Sequence, residues 1–63
     1  MSAMHMVSLL LGNEFDELLI HLPDDYFKLE AEDKEHVWQS ILHEVNRGVS
    51  NPIELAKLAV IWL

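Results

Sequence analysis

His36 and His43 are seven residues apart in a stretch that reads as helix, which puts the two imidazoles within about 20° of each other on one face. Glu32 and Gln39 complete that stripe, and Asp33 stands three residues before His36. Imidazole and carboxylate at helical spacing is the chemistry of a zinc-type site. Two histidines leave a tetrahedral site half made unless a second copy supplies the rest. The stripe also lies opposite the apolar arc of the same helix, where histidines are ordinarily just solvated. We therefore assign no metal. His21 is isolated. Serines occur at Ser2, Ser8, Ser40 and Ser50, none in a nucleophile elbow or at a spacing that implies an activating base. Asp24 with Asp25 reads as helix capping, not as an acid–base dyad, and no glycine-rich phosphate loop is present. A helical unit this small seldom encloses a pocket of ligand size. The expectation is no enzymatic activity and no cofactor.

The acids have a second use to consider. Asp24, Asp25, Glu30, Glu32, Asp33 and Glu35 face only Lys28 and Lys34 within one stretch. Such a run can imitate a phosphate array and cover the basic site of another protein, and Asp24, Asp25, Glu32, Asp33 and Glu35 are the candidate partner-facing surface. More often a run like this is a solvated helix start whose acids suit the helix dipole. Over the whole chain, eleven acids against four bases give a net charge of −7, which repels phosphate backbones and anionic membranes and attracts basic protein partners. Direct nucleic-acid binding and membrane association are not expected.

Three helices are expected to position these groups. The first spans about 14–22, with Asn13 as N-cap, Glu14, Asp16 and Glu17 in its first turn, and Pro23 ending it. Phe15, Leu18, Leu19 and Leu22 fall on one arc, which Leu11 would extend. Val7–Leu11 either joins this helix or stands apart, because Gly12 weakens a continuous run. Residues 23–30 form a connector with at most one helical turn, from which Tyr26, Phe27 and Leu29 fold back on the core. The second helix, about 31–47, carries Val37, Trp38, Ile41, Leu42 and Val45 on one continuous arc, with Arg47 near its negative end and Gly48 as its left-handed cap. Ser50 or Asn51 can cap the third helix, 52–63, whose first turn suits Pro52. Met1, Met4 and Met6, with His5, look like a cloning scar at 1–5 ahead of a single small domain at 6–63.

The third helix is apolar almost all the way round. Ile53, Leu55, Ala56, Leu58, Ala59, Val60, Trp62 and Leu63 cover roughly 220° of its circumference, about twice what a surface helix needs. With 63 residues and no cysteine, the chain has little mass to cover such a helix and no disulfide to staple the fold. Oligomerisation is the staple that remains. The absence of cysteine is also compatible with the cytoplasm, where we place the chain.

The segment from Trp38 to Trp62 has the outline of a helix-turn-helix, but its second helix offers Lys57 as its only base and cannot read DNA in the usual way. Its spacing of a tryptophan, two aliphatic turns, a glycine turn and an apolar helix resembles the small helical hairpins of bacterial repressor–antirepressor pairs, without a diagnostic motif. That resemblance implies a dimerisation hairpin. The expectation is thus an all-α unit that forms a homodimer or higher oligomer and acts as a protein–protein interaction module, a small regulator or the dimerisation domain of one. Its interface would comprise Val37, Trp38, Ile41, Leu42, Val45, Ile53, Leu55, Leu58, Ala59 and Trp62, with the tryptophans as anchors. The alternative is an acidic antagonist, such as an antitoxin, immunity protein or nucleic-acid mimic. A third reading is a fragment, whose apolar excess marks a missing domain.

Overall fold

The computed structural model describes residues 2–61. Within them the chain forms four α-helices, where the sequence suggested three: α1 (Ala3–Leu11), α2 (Glu14–His21), α3 (Ala31–Asn46) and α4 (Pro52–Val60), with a 3-10 helix at Asp24–Lys28 between α2 and α3. No strand occurs among the described residues.

The additional helix is α1, and local chemistry explains it. The Ser2 hydroxyl accepts from the His5 amide at 3.2 Å, which caps the first turn. Gly12 then turns the chain with φ +59°, a conformation that costs glycine little, and α2 starts two residues later. Within the segment set aside as a cloning scar, Ala3 to His5 belong to the first turn of α1, and Ala3 lies in the core with Val7. Asn13 is not the side-chain cap expected for α2; its backbone is already helical, and the Phe15 amide donates to the Gly12 carbonyl instead.

Helix α3 ends in a Schellman motif. The Gly48 amide donates to the Val45 carbonyl and the Val49 amide to the Glu44 carbonyl, both at 3.0 Å, while Gly48 takes φ +104°. After the short turn, Asn51 caps α4 by accepting from the Ile53 amide at 2.9 Å and the Glu54 amide at 3.3 Å, and Pro52 opens the first turn.

The helices close a ring of contacts in which α1 packs chiefly on α3, α2 on α4, and α3 on α4, with α1 touching α2 near their junction. The core inside it comprises Ala3, Val7, Leu18, Leu22, Tyr26, Val37, Trp38, Ile41, Leu55, Ala56 and Ala59, with no buried charged residue among the described ones. Its polar atoms are paired: the Trp38 indole Nε1–H donates to the Tyr26 hydroxyl at 2.6 Å. Tyr26 meets Trp38 edge-on at 6.2 Å between centroids, and Phe15 reaches the other side of the indole at 5.8 Å. Of the three connector residues expected to fold inward, Tyr26 is buried and Leu29 packs against the core, but Phe27 is exposed. Three residues per turn place Phe27 about 120° round from Tyr26, so only one of the neighbours can face in.

Candidate functional site

The ten residues expected at an oligomer interface fall into four groups. Val37, Trp38, Ile41, Leu55 and Ala59 are buried inside the monomer, and Leu42, Val45 and Leu58 pack partly buried against the same core. Ile53 is exposed, and Trp62 lies outside the described residues. A side chain with no exposed surface in the monomer reaches a second copy only if the monomer opens. Packing by α1 accounts for the difference: it supplies the layer that the arc of α3 needs.

Exposed apolar surface remains at Ile53 and on residues outside that set. Met6, Leu9 and Leu10 share one flank of α1 within an arc of about 100°, and Leu9 is 66% exposed. On α4, Ile53 and Val60 are seven apart and lie within about 20° of each other, with Ile61 following, and all three are exposed. Ile20 stands on the outer face of α2 between Asp16 and Glu17.

The acidic candidates are on the surface. Asp24, Asp25, Glu32 and Glu35 are exposed and Asp33 is half-buried. Lys28 approaches Asp25 at 3.6 Å, and Gln39 donates to Glu35 at 3.1 Å. His36 and His43 are exposed, and the His43 Nε2 stands 3.9 Å from a Glu44 carboxylate oxygen. Among the described residues no group of three or more histidines and carboxylates is gathered closely enough to hold a metal ion. No helix there is long and apolar enough to cross a membrane.

A feature that the sequence did not announce lies where α3 hands over to α4. A cleft of about 320 Å³ is lined by Glu44, Val49, Glu54, Leu55 and Leu58. The Schellman motif builds it, because the bond from Val49 back to Glu44 folds the turn over the helix end and leaves Val49 beside that carboxylate. Leu58 and Glu54 line it from α4, together with the buried Leu55. Glu44 is the more sheltered acid, its side chain 26% exposed; Arg47 Nη1 lies 3.2 Å from one of its oxygens, and Lys57 Nζ lies 3.2 Å from Glu54. A second, shallower depression of about 220 Å³ lies beside Met4, Tyr26, Lys34 and Trp38, with the Lys34 ammonium 5.6 Å from the Tyr26 ring centroid.

No protein-family model, curated protein or solved structure matches the chain, so its function is argued from its own residues.

Proposed function

We propose that this protein is a small protein–protein interaction module that self-associates, a homo-oligomeric regulator or the dimerisation part of one. The observation that carries the reading is the exposed apolar flank of α1, Met6 with Leu9 and Leu10, together with a second exposed row on α4, Ile53, Val60 and Ile61. Loose folding does not account for it. The chain presents 4192 Å² of accessible surface, against about 4200 Å² for a compact protein of its mass. Its radius of gyration of 10.4 Å likewise meets the roughly 10.6 Å expected for its length. A monomer that has already closed its core still exposes aliphatic side chains in rows, and rows of this kind mark interaction surfaces.

Light scattering on a sizing column tests the reading. A mass of at least two chains is expected for the wild type and the 7.3 kDa monomer for Leu9→Glu with Leu10→Glu, at unchanged helicity. A wild-type monomer at micromolar concentration sinks it.

The acidic-antagonist reading draws support from a different observation: among the described residues, no Lys or Arg forms an ion pair with Asp24, Glu32 or Asp33. Unneutralised surface acids suit a basic partner. Such binding should weaken steeply with salt and on charge reversal at Asp24, Asp25, Glu32 and Asp33, whereas apolar self-association should respond to neither.

A further inference from the structure

The cleft between the end of α3 and α4 has a lining of two chemistries. Val49 and Leu58, both half-buried, make the accessible floor apolar, and Glu44 and Glu54 add carboxylates to the lining. Long basic side chains have the matching division, an aliphatic stem with a charged head. We propose that this cleft docks an arginine or lysine side chain from a basic segment of a partner protein, the stem lying over Val49 and Leu58 and the head meeting Glu44 and Glu54.

Charge complementarity selects the occupant at three levels. In the cleft, the two acids come from different helices and line one opening. Behind Glu44, the carbonyl end of α3 carries the negative pole of its dipole. The opposing positive pole of α4 is met by the Asn51 cap and by Glu54 itself. Over the whole molecule, a net charge of −7 draws basic segments toward every face and repels acidic ones. An anionic or purely apolar occupant uses none of this.

The chain's own cations leave room. Arg47 and Lys57 are each three residues from the acid they meet, each side chain is two-thirds exposed, and exposed pairs of this kind hold weakly. Arg47 reaches Glu44 through a single nitrogen, Nη1, at 3.2 and 3.3 Å to the two oxygens. A carboxylate has about four acceptor sites, so an incoming guanidinium can bind in its two-pronged geometry beside or in place of Arg47. Arginine is therefore the better guest than lysine. This site lies on α3 and α4, not on the α1 flank assigned to self-association, but Glu54 directly follows Ile53 of the α4 row, so the oligomer mass is followed alongside peptide binding.

The test is an amide NMR titration of the whole chain with two capped pentapeptides, Gly-Leu-Arg-Leu-Gly and the same peptide with norleucine for arginine. Saturable shifts are expected at Val49, Leu55 and Leu58 with the arginine peptide and none with norleucine. Glu44→Gln with Glu54→Gln should weaken binding about tenfold or more, since two charge-assisted bonds are lost. Glu32→Gln with Asp33→Asn, an identical change in net charge elsewhere on α3, should leave it within about twofold. The proposal is overturned by any of four results: no saturable shift, equal shifts with norleucine, equal weakening by the α3 control, or a change in oligomer mass in the Glu44/Glu54 variant. The last would make a second copy the occupant. The norleucine arm uses wild-type protein, so it decides even if a variant is unstable.

Discussion

Among single residues, the Tyr26–Trp38 pair is the most exacting. The indole N–H is buried and the phenolic oxygen 2.6 Å away is its partner. Tyr26→Phe keeps the ring contacts with Trp38 but leaves that donor unsatisfied, at a cost of about 1–3 kcal/mol. For a domain this small, each kcal/mol moves Tm by about 4–8 °C. Thermal unfolding of Tyr26→Phe should therefore show a clear fall in Tm; an unchanged Tm would mean that water or a shifted backbone carbonyl takes the donor. The sequence placed Trp38 on the apolar arc and Tyr26 near the core. It could not show that they bond, because the eleven residues between them pass through an irregular connector whose path no periodicity fixes. Glu44 and Glu54 were hidden in the same way. Each reads as a surface acid on its own helix, and only the fold of the turn around Val49 brings them to one cleft.

At the level of elements, the strongest signals were at helix ends. Pro23 after α2, Gly48 after α3, and Asn51-Pro52 before α4 all mark boundaries that the structure keeps, because each residue type has a backbone preference or a bond that only one kind of position satisfies. The Gly48 cap is open to test. An alanine there meets no steric contact, since nothing lies within 4 Å of the added carbon, so its cost comes from the positive φ alone, about 1–2 kcal/mol. Asn51→Ala should cost about 1 kcal/mol through the lost cap. Chemical denaturation of each variant should show both losses with an unchanged m-value; a neutral Gly48→Ala would contradict the Schellman geometry. Helix α1 was the element least legible in the sequence. Its apolar residues, Met4, Met6, Val7, Leu9, Leu10 and Leu11, cover roughly 220° of the circumference and leave the rest to His5 and Ser8, a stripe too broad to show which part faces the core. Without a separate α1, the sequence offered little mass to cover the apolar 52–63 helix, and that helix and the α3 arc were assigned to an oligomer interface.

For the molecule as a whole, charge and apolar surface pull in opposite directions. Seven net negative charges on a body measuring 26 × 23 × 17 Å make two copies repel each other, while the α1 and α4 flanks favour contact. Added salt screens the first and leaves the second. The mass measured by light scattering should therefore hold or rise between low and high salt. A mass that falls with salt would show that ion pairs, not the exposed leucines, hold the copies together. This balance was readable from composition alone, since eleven acids and an apolar half of the chain are visible without a fold.

The order in which the helices pair has a further consequence, for synthesis. First packs on third and second on fourth, so no stretch cut from one side of the chain contains its own complete core. A ribosome delivers residues from the N-terminus, and here neither α1 with α2 nor the first three helices together can bury Leu18 and Ile41 in the finished way until Leu55, Ala56 and Ala59 have been made. Nascent chains in that interval expose the future core together with the α1 leucines, at the stage when aggregation threatens most. The acids concentrated in α2, the connector and the start of α3 are already in place by then, and they give the unfinished chain a charge that keeps copies apart.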